Sequence, residues 1–186
     1  MSIKLLLTSF QTWLPHQVSN SSDDLLEIIE SKHDLFDGLF VLRKLPVNTQ
    51  IASDRVIETI KVIQPQGIIC CGMAESRELL TIESQAICGD SCMVTPVNLN
   101  SILDKLFYTK ISHDAGKFVC EGLYYQILNY LENQNLNIPC IFVHVPLLNY
   151  HNREKIEQDF ITIISCMQSN CVDLIATKNP QKIEPI

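Results

Sequence analysis

The chain has 186 residues, 46% of them hydrophobic and 19% charged, with a formal net charge of −7 and a pI near 5.1. That length fits one domain, residues 1–170 with a polar tail at 171–186, and is enough to bury a core without metal or disulfide staples. The acidic balance, with no cluster of Lys and Arg, argues against a nucleic-acid or anionic-membrane surface. The opening MSIKLLLTSFQTW is too short in its apolar part for a signal peptide. No run approaches the roughly 18 apolar residues that a membrane helix needs. Together these place the protein in the cytoplasm, where its eight cysteines are expected as thiols. Cys88–Cys92 and Cys166–Cys171 lack a matching second pair or a nearby His, so no metal and no other cofactor is expected.

In chain order, Ile3 to Thr8 reads as a buried strand and Gln11 to Ser22 as a loop. Ser21 to Asp24 supply cap and first-turn chemistry for a helix whose stripe is Leu25, Ile28 and Ile29. Gly38 to Leu45 is a second strand, Ser53 to Ile63 a helix, and Gly67 to Cys71 a third strand closed by Gly72. Glu78 to Ala86 reads as strand or extended loop, and Asn98 to Lys105 as a short helix. Ala115 to Leu131 is the strongest helix. Cys140 to Val145 is an apolar strand stopped by Pro146, and Arg153 to Met167 is the last helix. Strands alternating with helices, the strands apolar throughout, indicate an α/β layer fold around a mostly parallel sheet.

Ligands of such sheets gather at the carboxyl ends of strands, here Thr8 to Trp13, Gly72 to Glu83, and His144. Cys120, in HDAGKFVCEGLYYQIL, falls near the start of its helix after a turn at Gly116. A helix N-terminus favours a thiolate and offers free N–H groups to an oxyanion. The thiol pKa is therefore expected below about 8.5, with labelling by iodoacetamide near pH 6–7 ahead of the other cysteines. The same position also lies on the stripe with Tyr124 and Ile127, so pattern alone favours a core cysteine. His144, in CIFVHVPLL, is placed to be a base or a satisfied core histidine. Glu83 reads as the group that orients an imidazole or as a solvated loop carboxylate.

The strings TSFQTW, LPVN, GMAESR followed by TIE, DAGKFVC, and FVHVP together resemble the pyroglutamyl peptidase I family, over Ile3 to about Glu157. The resemblance implies a three-layer α/β/α sandwich and removal of N-terminal pyroglutamyl residues from small peptides without a metal. It implies a nucleophile at Cys120, a base at His144 and an orienting acid at Glu83. It implies a lactam pocket built by Phe10, Trp13, Met73, Phe142 and Val143, and a homo-oligomer, since bacterial members often form tetramers. The departures lie outside the three catalytic positions. Ser9 stands for Gly, Met73 for Gln, Glu121 and Cys88 for Asn, and the stretch between Glu83 and Cys120 is shorter by about 25 residues. Two alternatives remain at this point: a non-catalytic small-molecule or peptide-binding protein on the same scaffold, and an amidase for another N-blocked acyl group.

Overall fold

The longest apolar runs of the chain become the inner strands of one sheet, as burial on both faces requires. A computed structural model describes residues 2–32 and 37–178. Its first half is β1 (Leu5–Phe10), α1 (Ser21–Ser31), β2 (Leu39–Leu45), α2 (Thr49–Ile63) and β3 (Gly67–Met73). Then follow β4 (Leu80–Glu83), β5 (Gln85–Cys88), β6 (Ser91–Val94), α3 (Leu99–Leu103) and β7 (Thr109–Ser112). The chain continues with α4 (Val119–Asn133), β8 (Cys140–Val145) and α5 (Arg153–Lys178).

Six strands form the main sheet in the order β2-β1-β3-β8-β4-β7, and β5 and β6 form a separate hairpin. All neighbours in the main sheet are parallel except β4 and β8. Alternate side chains of the inner strands enter two cores. Leu5 and Leu7 pack with Leu25, Leu26, Phe160 and Ile164 of α1 and α5. Leu6 and Ile68 pack with Val56, Ile60, Leu123 and Ile127 of α2 and α4. The result is the three-layer α/β/α sandwich. Each fully buried Leu or Ile contributes about 1.5–3 kcal/mol relative to exposure, so these two cores dominate the fold's stability.

Because β1 lies between β2 and β3, the chain leaves β1 toward one side through α1 and returns to the other through α2. That reversal opens a crevice at the carboxyl ends of β1 and β3, the place where open α/β sheets bind ligands.

The helices begin before their apolar stripes because asparagines cap them. Asn20 accepts from Ser22 N at 3.0 Å, Asn48 from Ile51 N at 3.0 Å, and Asn98 from Ser101 N at 3.4 Å. So α1 is capped by Asn20 rather than by Ser21 or Ser22, and α2 starts four residues ahead of Ser53. At the other end, α5 runs on to Lys178 past the point where the pattern fades, burying Cys171, whose thiol donates to Gln66 O at 3.1 Å. The remainder of the tail, 179–186, lies outside the described residues.

Ser9 finds its role as a donor to the buried Asp23, at 2.7 Å. Arg43 of β2 grips the same carboxylate with two bonds of 2.9 and 2.8 Å. Burial pushes Asp23 up, but Arg43 and Ser9 outweigh it and hold the carboxyl below its usual range. A lowered folded-state pKa stabilises above the unfolded value, and that contribution is lost as pH falls.

Candidate active site

Cys120 is the second residue of α4, and the turn into that helix depends on Gly116, which takes φ +93° and donates to Asp114 Oδ1 at 2.9 Å. Phe118 occupies the N-cap and has no side chain that can cap, so the first-turn N–H groups keep no side-chain partner at that position. Gly72 lets the helix start sit against β3. A Cβ there would lie 2.7 Å from Cys120 Sγ and 3.0 Å from the Phe142 ring.

His144 is on β8, 4% exposed, and its Nδ1 lies 2.8 Å from Glu83 Oε1. The antiparallel pairing of β4 with β8 brings the two together, setting Thr81 opposite His144 and Glu83 opposite Phe142. The same helix that carries Cys120 holds the Glu83 backbone, since Tyr124 Oη donates to Glu83 O at 3.2 Å. Glu83 is fully buried, and Arg77 also donates to its Oε1. Burial pushes the Glu83 carboxyl up, but the His144 and Arg77 bonds prevail and keep it below its ordinary value. It is therefore an anion at neutral pH and can only accept. Nδ1 of His144 then carries the proton, and Nε2 presents a lone pair.

Burial also lowers the His144 pKa, against the opposing pull of Glu83. Neutral imidazole is the resting form at pH 7. The thiol departs from the sequence expectation. Burial pushes Cys120 up to about 12, with the Glu83 charge adding to the rise and Arg77 opposing it. A helix N-terminus does not by itself offset removal of a thiolate from water when the neighbouring imidazole is neutral. The resting pair is thiol and imidazole rather than thiolate and imidazolium. Brief iodoacetamide treatment at pH 6.5 is accordingly expected to label the exposed Cys88 and Cys92 first, with Cys120 following only as the pH rises. Peptide mapping by mass spectrometry checks this order; dominant Cys120 labelling at pH 6.5 would contradict it. Cys171, expected at the start of the polar tail, is instead buried in α5 and is not a competitor for the reagent.

Cys120 and His144 open on one cavity of about 770 Å³, which Phe10, Trp13, Met73, Arg77 and Phe118 also line. Three of the five residues expected to form the pocket wall are therefore there. Phe142 and Val143 are not among its lining residues: both are fully buried. Successive residues of a strand point to opposite faces, so Phe142 enters the α2–α4 core and Val143 the α1–α5 core. Phe142 still supports the site from below, its ring centroid 4.8 Å from that of His144. A second cavity, of about 720 Å³, lies between Val97, Leu128, Leu131 and Pro139, and neither Cys nor His lines it.

The comparisons with known proteins bear on this crevice. A family model described as pyroglutamyl peptidase matches residues 96–174, a span holding Cys120 and His144. A pyrrolidone-carboxylate peptidase of Thermoanaerobacter sp. (strain X514) is 27% identical over 173 residues, covering 78% of this chain and 83% of the relative. Over most of its length the chain is thus similar to pyroglutamyl peptidases. Its fold is that of solved pyroglutamyl peptidases. Pyroglutamyl peptidase I of Bacillus amyloliquefaciens superposes with a TM-score of 0.77 at 19% identity, over 90% of this chain and 97% of the other. Pyrrolidone carboxyl peptidase of Thermococcus litoralis gives 0.70 at 17% identity over 100% of both.

The departures from the pyroglutamyl peptidase pattern have local explanations. The shortened stretch folds as the β5–β6 hairpin, α3 and β7. Glu121, in place of an Asn, accepts from Ile87 N at 3.2 Å and ties α4 to that hairpin. Met73 accepts from Ser21 N at 3.4 Å while lining the cavity. Sequence reasoning missed Arg77, whose signal was its place in GMAESR, and Asp114, which stands two residues before Gly116. No helix among the described residues is long and apolar enough to cross a membrane.

Proposed function

We propose that this protein is a cysteine peptidase that removes an N-terminal pyroglutamyl residue from small peptides, with Cys120 as nucleophile, His144 as base and Glu83 as the acid that orients it. The observation that carries the reading is the buried His144–Glu83 bond of 2.8 Å facing the same cavity as Cys120 at an uncapped helix start. The neutral imidazole takes the thiol proton on Nε2 as Sγ attacks the exocyclic carbonyl of the pyroglutamyl group. Nδ1–H stays on Glu83, which stabilises the imidazolium that forms. The first-turn N–H groups of α4 stabilise the tetrahedral oxyanion. His144 returns the proton to the departing amine, and water, deprotonated by the same imidazole, releases free 5-oxoproline from the thioester. The lactam is neutral and flat, and Phe10, Trp13 and Met73 supply an apolar wall that would reject a charged glutamyl end. The eight unpaired thiols support a cytoplasmic setting.

Turnover of pyroglutamyl-aminomethylcoumarin against the prolyl and glutamyl analogues tests this. The pyroglutamyl compound alone is expected to be cleaved at a useful rate. Since His144 must be neutral and its pKa is lowered, kcat/KM should fall on acidification only below pH 6.5. With a thiol near 12, it should stay level through pH 8–9. No release, or equal release from the prolyl compound, would refute the substrate assignment.

A further inference from the structure

Arg77 connects both halves of the site. It lies in the β3–β4 loop, lines the cavity beside Cys120 and His144, and keeps only 21% of its side chain exposed. One arm of its guanidinium donates to Glu83 Oε1 and to Thr81 Oγ1. The other arm donates to Asp114 O at 2.8 Å. Glu83 orients the imidazole. Asp114 begins the turn, through its 2.9 Å bond from Gly116 N, that delivers Cys120 to the first turn of α4. A planar fork with fixed donor directions suits such a bridge, and a lysine could supply the charge without the second bond.

We infer that Arg77 is a positioning residue for the proposed reaction: by bridging Glu83 to Asp114 it fixes the imidazole relative to the thiol. This rests on the peptidase reading above. The charged and titratable groups around His144 are Glu83 from β4, Arg77 from the β3–β4 loop, Asp114 from the turn before α4, and Cys120 from α4 itself. Glu83 and Asp114 favour the imidazolium, and Arg77 opposes it. Arg77 also opposes the rise in the Cys120 thiol. Its removal would therefore leave Glu83 uncompensated, raise the His144 pKa, and make the thiol still harder to ionise.

Two variants and two readouts separate this role from mere scaffolding. In Arg77→Gln, kcat/KM on pyroglutamyl-aminomethylcoumarin is expected to fall roughly 100-fold, the scale of a misplaced catalytic group. Its acid limb is expected to move to higher pH. In Arg77→Lys, the acid limb should stay with the native profile while the rate recovers only in part, because the charge remains and the Asp114 bridge is lost. NMR titration of the His144 imidazole in the full chain reads the same pKa without any turnover. An upward shift in Arg77→Gln, with a native-like shift in Arg77→Lys, supports the inference even if pyroglutamyl compounds prove not to be substrates. An unmoved His144 titration in a folded Arg77→Gln protein overturns it, whatever happens to the rate.

Discussion

Cys120→Ala is expected to lower kcat/KM on pyroglutamyl-aminomethylcoumarin by roughly 10⁴- to 10⁶-fold, as removal of the nucleophile does in a covalent mechanism. The loss should lie in kcat, because the residues that form the cavity wall remain. Folding should survive. Cys120 is not fully buried and packs at the margin of the α2–α4 core rather than at its centre, so its truncation to Ala removes one sulfur. A change of about 1 kcal/mol moves the melting temperature by about 2–4 °C in a chain of this size. Cys120→Ser should be nearly as inactive. An alcohol with a higher pKa than a thiol would have to be deprotonated by an imidazole whose own basicity is lowered by burial. Turnover within tenfold of the native protein in either variant would remove Cys120 from the mechanism.

Glu83→Gln is expected to act on both rate and stability. The amide that replaces the carboxylate no longer stabilises an imidazolium and permits the wrong imidazole tautomer, an effect on the order of 10⁴-fold in kcat. The same change leaves Arg77 facing a neutral partner in a site where Glu83 is fully buried. Breaking a buried pair from one side typically costs about 3–5 kcal/mol, and the partial exposure of Arg77 places the expected cost at the lower end. That corresponds to a fall in melting temperature of roughly 6–12 °C. The pH dependence carries a sign. Native Glu83 has a lowered pKa, so its contribution is present above the unfolded value of 4.5 and is lost as pH falls through the folded value. The variant lacks that titration, so its stability should decline less steeply than the native protein's below pH 4.5. Melting curves between pH 3 and 7 measure this, and parallel curves would contradict the buried anion.

The inner sheet was legible because its strands are unbroken apolar runs: β8 was placed to the residue, and β1 and β3 to within two. The helices were found by their stripes, but α2 was entered four residues late, since its capping Asn48 lies outside the periodic pattern, and α4 four residues early, at Ala115 instead of Val119. The short strands β6 and β7 carry too few residues for either period to show, and β7 is an edge strand whose Lys110 faces solvent. Of the proposed site, Cys120, His144 and Glu83 stood out through motif, yet the state of the thiol did not. The thiol's pKa depends on burial contributed by β3 and β8 and on the charge of Glu83, and none of these is sequence-adjacent. Phe142 and Val143 were misplaced for a related reason. In a strand covered on both faces, apolar character does not say which neighbour points at a ligand. Arg77 escaped notice because a loop arginine reads as solvated until Glu83 and Asp114 O are seen to converge on it.

The most direct test of the account is the site of covalent capture by a substrate-shaped electrophile. A pyroglutamyl chloromethyl ketone carries the lactam into the cavity, sets its ketone where the acyl carbonyl would sit, and presents the adjacent chloromethyl carbon, from which the sulfur displaces chloride to form a thioether. Incubated with the native chain at pH 7 and mapped by mass spectrometry, it is expected to modify Cys120 once, ahead of the more exposed Cys88 and Cys92, and free pyroglutamate is expected to slow the reaction. This reverses the order expected with iodoacetamide, because binding, not resting ionisation, directs the reagent. Modification confined to Cys88 and Cys92, with Cys120 untouched, would contradict the claim that Cys120 is the nucleophile of a pyroglutamyl peptidase.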